Sequence, residues 1–301
     1  MKWIDRESDI VIDPPKEFNF EECLVYLRRS DQELLHQINE GSIYKLIQVN
    51  EALILCKISS DHHSITVEFP MGVPPIHSRK QVAAYIGEWF DLDRDLKEFY
   101  QIASQDRVLK TLAQSYYGLR VIGIPDLFEA LVWAVMGQQI NLTFAYTLKR
   151  RFVEQYGESL VFEGKTYWLF PSFERIASLH IDDLRQLQFT MRKAEYTIGI
   201  AKAMASGELS RESLLQMKED QPIRESLMMI RGIGAWTADY VMMKCLHTPS
   251  SFPIADVGLH NALKNVLGLE RKPTIDEIRE YAVTWEGWQA YATFYLWRSL
   301  L

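Results

Sequence analysis

The residues best suited to chemistry lie in two short stretches near the C-terminal end of the 301-residue sequence. In the first, Gly232-Ile233-Gly234 stands between two runs with helical apolar spacing, the whole covering residues 226–244. Two glycines there allow positive φ and a close backbone approach. The residues after Gly234 open a helix, whose unpaired N–H groups and dipole attract an anion, so backbone amides can hold a phosphate without a lysine. An ordinary corner between two helices has the same pattern. In the second stretch, Phe252-Pro253-Ile254-Ala255-Asp256, the aspartate stands at the start of a further helix. Asp is a favoured N-cap; the alternative is a carboxylate held at a helix entrance and facing a cleft. Asp239, one turn after Trp236, is a weaker carboxylate candidate. Met228, Met229, Met242 and Met243 read as core filling rather than as ligands.

A chain of this length suits two domains, and its 48% hydrophobic and 24% charged content is that of a folded globule. Cys23, Cys56 and Cys245 lie far apart, so no disulfide framework or CxxC motif can be built, which favours a reducing, cytoplasmic setting. The charged start, with Lys2, Asp5, Arg6, Glu7 and Asp9, does not read as a signal peptide. Residues 130–148 are uncharged and long enough to span a bilayer, but Gly137, Gln138, Gln139 and Asn141 interrupt them; a helix, a polar turn and a second helix are expected instead. The net charge is −7; there are 14 basic and 19 acidic residues through Arg120, and 19 and 21 after it. A protein that held nucleic acid by charge alone would be basic. DNA binding here must be local and partly made by backbone groups.

The elements that position these residues fall into two classes. A helix over 20–29 precedes strand-like runs at 43–49, 52–58 and 64–69, with turns at Asn50-Glu51 and Asp61-His62-His63 between them; an antiparallel meander is the natural arrangement. Helices over 80–90 and 94–103 follow. A boundary near Tyr117-Gly118 gives an N-terminal α+β domain over 1–117 and an all-α domain over 118–301, in which no strand is expected. Asp126 with Glu129 forms a capping-box-like start, helices follow at 141–156, 171–179, 181–187 and 192–206, and Thr274 with Glu277 opens a long helical stretch reaching Leu301. Lys149, Arg150, Arg151, Arg192 and Lys193 suit either phosphate contact or a solvated helix face. His62-His63 has no partner ligands at metal spacing and reads as a turn.

Gly232-Ile-Gly-Ala-Trp-Thr-Ala followed by Phe-Pro-Ile-Ala-Asp256 resembles the helix-hairpin-helix DNA glycosylases, and within them the DNA-3-methyladenine glycosylase II family. Upstream, Gly118-Leu-Arg-Val-Ile-Gly-Ile-Pro-Asp-Leu-Phe-Glu-Ala-Leu and Met136-Gly-Gln-Gln-Ile140 match the family's opening helices; Tyr167-Trp-Leu-Phe-Pro171 and Met191-Arg-Lys-Ala194 match its middle, and Trp285, Trp288 and Trp297 its end. The resemblance covers roughly residues 118–301; the N-terminal part fits the family's β-rich extra domain in outline.

The resemblance implies an enzyme that binds duplex DNA as a monomer, flips out an alkylated purine and hydrolyses its N-glycosidic bond in base-excision repair. It places the catalytic carboxylate on Asp256 and the base pocket on Trp236, Tyr240 and Trp297. DNA contacts fall on Gly232, Ile233, Gly234 and Thr237 of the hairpin and on Gln138 and Gln139. Trp236 stands where lyase-active relatives keep a lysine, so water should be the acceptor and no Schiff base is expected. No metal or organic cofactor is implied, beyond a monovalent cation that the hairpin carbonyls can hold, and no Cys cluster follows for an iron–sulfur centre. Two residues depart from the family pattern: Val257 replaces a tyrosine after the catalytic Asp, and Gln139 replaces an apolar wedge. Both leave open a glycosylase for a neutral oxidised or deaminated base; a binder of damaged DNA without turnover is the other alternative.

Overall fold

The computed structural model describes residues 1–61 and 63–301, so His62 of the expected turn lies outside the described residues. The chain forms two compact units, each assembled from separate segments rather than from one side of a single cut: Met1–Pro14, Ser30–Trp89 and Asp126–Ser210 in one, Pro15–Arg29, Phe90–Pro125 and Arg211–Leu301 in the other.

The first unit holds an antiparallel sheet of six strands: β1 (Lys2–Asp5), β2 (Asp9–Asp13), β3 (Gln37–Asn39), β4 (Ser42–Val49), β5 (Ala52–Ser60) and β6 (Ile65–Glu68), in the spatial order β1-β2-β6-β5-β4-β3. The meander expected from the sequence is β4-β5-β6. In the longest pairing Ile43 faces Ile58 and Ile47 faces Ile54, β-branched cross-strand pairs that suit a buried sheet face. Helices in the same unit include Leu127–Gly137, Leu142–Tyr156 and Met191–Ala205. Asp126 caps the first of these through the amide of Glu129, and Asn141 caps the second through that of Phe144.

The expectation of no strand after Gly118 is corrected by a hairpin, β7 (Ser159–Phe162) with β8 (Lys165–Trp168). Its two-residue turn, Glu163-Gly164, has φ of 48° and 73°, the doubly positive pair that matches strand twist. Glutamate instead of the usual Asn or Asp hid it. Leu160, Phe162 and Tyr167 of the hairpin pack on Leu46 and Leu55 of the sheet, and Gln37 Nε2 donates to the carbonyl of Thr166.

Among its described residues the second unit is helical. Its core fixes the helix that carries Trp297. Tyr291 donates to Asp91 at 2.6 Å and Tyr295 to the Leu119 carbonyl at 3.1 Å. The fully buried Arg120 donates to the carbonyls of Glu17, Asp91 and Arg94. Gly118 has φ of 86°, and a Cβ there would meet Asn19 N at 2.6 Å, so both backbone shape and space require glycine. The long C-terminal helix expected from the sequence is broken. Ile275–Tyr281 runs into a 3₁₀ turn, Ala282–Trp285; Gly287 takes φ 79° and the helix restarts as Gln289–Arg298. Met242 and Met243 are buried as expected, but Met228 and Met229 are exposed, the latter 87%, because the first hairpin helix ends there and turns its last residues outward. No helix among the described residues is long and apolar enough to cross a membrane.

Candidate active site

Three helices of the helical unit contribute hydrogen bonds to Asp256, and one of them is the second helix of the hairpin. The hairpin is helix Asp220–Met228, the turn Met229–Gly234 and helix Ala235–Lys244. Helix Val257–Leu267 and the C-terminal helix Gln289–Arg298 complete the set.

Asp256 is both cap and candidate carboxylate. Its Oδ1 accepts the amide of Leu259 at 2.8 Å, as an N-cap should. The same oxygen accepts the Trp297 indole N–H at 2.8 Å, and Oδ2 accepts the Trp236 indole N–H at 3.1 Å. Three donors from three elements therefore orient one partly buried carboxylate. Oδ1 carries two donors and Oδ2 one, which leaves Oδ2 with more open lone-pair capacity.

The approach to Asp256 is equally fixed. Its own amide donates to the Pro253 carbonyl, Ile254 N–H to that of Phe252, and a ring nitrogen of His260 lies 2.9 Å from the Ile254 carbonyl. His260 and Gly258 are site residues the sequence reading missed. A Cβ on Gly258 would lie 2.9 Å from Asp256 Oδ1 and 3.2 Å from Trp297 Nε1. No positive φ demands this glycine; the space taken by the indole–carboxylate bond does. A glycine two residues after the Asp was the available signal.

Trp236, Tyr240 and Trp297 are brought together as a row. Trp236 and Tyr240 centroids lie 5.6 Å apart at 30°, and Tyr240 and Trp297 6.2 Å apart at 36°. These are separations of rings in direct contact, so a base cannot slot between neighbours; it can stack only on an outer face. Tyr240 is buried, while Trp236 and Trp297 are half-buried.

In the turn only Gly232 takes the left-handed region, at φ 96°; Gly234 is extended, at φ −93°. Of the two glycines, one uses the conformational freedom and the other the close approach that a missing side chain permits. Gly234 caps the second hairpin helix without a side chain to bond its first-turn amides, and a Cβ there would meet open space. That leaves the helix entrance approachable by an anion. Ile233 is buried and anchors the turn from beneath, its amide donating to Ile230. Thr237 is 2% exposed, so its side chain faces the core. A monovalent cation at this turn would be held by main-chain carbonyls, of which Ile230 O accepts one amide and keeps a second lone pair.

Gln138 and Gln139 belong to the sheet-bearing unit, just after helix Leu127–Gly137. Gln139 is exposed and left-handed, at φ 56°. Three residues before it, the Met136 carbonyl accepts from the buried Lys193 at 2.7 Å. Lys193 and Lys149, the latter paired with Glu33 at 3.0 Å, are buried, so neither lies on a solvated helix face. Asp239, the weaker carboxylate candidate, is engaged by Arg224.

A family model described as HhH-GPD superfamily base excision DNA repair protein matches residues 132–287. The chain belongs to this superfamily. A second model, described as 8-oxoguanine DNA glycosylase, N-terminal domain, matches residues 10–131. Among HhH-GPD relatives, a Bacillus subtilis protein named DNA-3-methyladenine glycosylase is 49% identical over the full length of both chains. Escherichia coli DNA-3-methyladenine glycosylase 2 is 27% identical, over 78% of this chain and 77% of its own. The solved 3-methyladenine DNA-glycosylase from Archaeoglobus fulgidus superposes with a TM-score of 0.81 at 23% identity, covering 95% of this chain and 96% of its own; that likeness is one of fold.

Proposed function

We propose that this chain is a monofunctional DNA glycosylase that hydrolyses the N-glycosidic bond of alkylated purines, of the 3-methyladenine and 7-methylguanine type, flipped out of duplex DNA. Its partner is DNA, it works as a monomer in the cytoplasm, and base-excision repair is its setting. The observation that carries this reading is the Asp256 carboxylate, held by the two indoles and a helix amide.

Cleaving the bond develops positive charge on the sugar. A preorganised carboxylate stabilises that charge most where water is excluded. Asp256 Oδ2, the less occupied oxygen, faces this task, and it can orient or deprotonate the attacking water. An alkylated purine is already cationic and leaves without a strong acid. It also gains about 0.5–2 kcal/mol from electron-rich rings, here the outer faces of Trp236 and Trp297. First-turn amides after Gly234 take a phosphate, and a monovalent cation on the turn's carbonyls would add positive charge beside it. Gln139 fills the gap left by the extruded nucleotide. Trp236, not an amine, lies against Asp256, so water is the acceptor.

Duplex DNA treated with a methylating agent tests the reading. Free 3-methyladenine or 7-methylguanine should appear, and borohydride should trap no covalent complex. Release of only neutral oxidised or deaminated bases, or a trapped complex, would overturn it.

A further inference from the structure

Arg224 lies on the first hairpin helix and Asp239 on the second. They meet as a fork: Nε donates to Oδ1 at 2.8 Å and Nη2 to Oδ2 at 3.2 Å. Such bidentate pairing fixes direction as well as distance. Asp239 also grips the segment that leads to Asp256, since its main-chain carbonyl accepts the Ser251 hydroxyl at 2.6 Å. The neighbouring Ser250 hydroxyl bonds Asp220, at the start of the first hairpin helix. The residues entering Phe252-Pro253 are thus fastened to both hairpin helices. Asp239 further sits one turn after Trp236, whose indole holds Asp256.

We infer that Arg224 and Asp239 are a positioning pair that sets the gap between the phosphate-holding turn and the Asp256 carboxylate. The inference rests on the proposed glycosylase reading. Stability alone does not account for the pair. The Asp239 side chain is 9% exposed, and burial raises its pKa despite the guanidinium beside it. An ion pair whose desolvation outweighs its attraction adds little to folding. Its contribution is geometric: it holds two helices at one angle, and that angle places a phosphate gripped at Gly234 relative to a carboxylate gripped by Trp236.

The test uses the full chain and a methylated duplex, with single-turnover base release, affinity for an abasic-site duplex and melting temperature measured together. Arg224→Lys keeps the charge but loses the planar fork; Arg224→Gln and Asp239→Asn remove one partner each. Each variant should slow release about 10- to 100-fold, the scale of an ångström of misplacement, while abasic-duplex affinity changes less than about threefold. The double variant Arg224→Gln with Asp239→Asn should be no slower than either single one, because the two act as a unit. Arg224 is one-third exposed, so its variants keep the experiment usable if Asp239→Asn fails to fold. An active wild type with Arg224 variants within twofold of it overturns the pair alone, as do losses that multiply in the double variant. A wild type that releases no alkylated base overturns the glycosylase reading, and the pair falls with it.

Discussion

The Trp297 indole N–H donates to Asp256 Oδ1 at 2.8 Å. This bond ties the last helix to the start of another and makes a ring expected for stacking also a ligand of the carboxylate. Trp297→Phe keeps an aromatic face and removes the donor. A hydrogen bond to a charged group is worth about 1.5–3 kcal/mol, so base release should slow about 10- to 100-fold. Single-turnover release checks this; an unchanged rate would reduce Trp297 to a stacking face.

Gly258→Ala tests the same bond from the other side. Gly258 is the second residue of its helix, where Ala gains less over Gly than the roughly 1 kcal/mol of a helix interior, and this Cβ would press on Oδ1 at 2.9 Å and on the indole. Melting temperature should shift little while base release drops at least about tenfold. Thermal melts beside single-turnover rates separate the two effects.

Gln139 holds a left-handed backbone without being glycine, a conformation that costs about 1–2 kcal/mol. Gln139→Gly should stabilise the protein by up to about 1 kcal/mol and weaken binding to lesion-containing duplex. Gln139→Ala should weaken binding without the gain in stability. Denaturant melts and titration of abasic duplex read the two quantities.

His247 is a pH-sensitive group of the helical unit. Burial pushes its pKa down to about 4, against the pull of Asp91, whose carboxylate lies 3.6 Å away. In the unfolded chain it titrates near its ordinary value of about 6.5. The folded state therefore binds fewer protons between those values, and acid favours unfolding. The stability is fully present above about pH 6.5 and is lost as pH falls towards 4, by roughly 3 kcal/mol. His247→Asn, which tolerates the positive φ of 53°, should flatten this part of the pH–stability profile in denaturant melts.

Local chemistry made much of the fold legible. Asp126, Thr274 and Asp256 all cap the helices their side chains announced, and the β4-β5-β6 meander follows from apolar runs between turns. Features set by tertiary context were hidden. Glu163-Gly164 turns a hairpin without the usual Asn, and Gly287, at positive φ, separates the 3₁₀ turn from the last helix inside an aromatic run that reads as continuous. In the site, Asp256 and the three rings were legible as types. What spacing could not show is that two indole N–H groups point at one carboxylate, because residues 236, 256 and 297 meet only in the fold.

The central claim is that Asp256 performs the chemistry while the hairpin performs the grip. Asp256→Asn keeps an oxygen for the helix cap and removes the charge. Single-turnover release from methylated duplex, read beside affinity for abasic duplex, measures both halves at once. Release should fall at least about 1,000-fold, the upper range for a lost electrostatic stabiliser, with affinity within a few-fold of wild type. Wild-type release from the Asn variant would contradict the account.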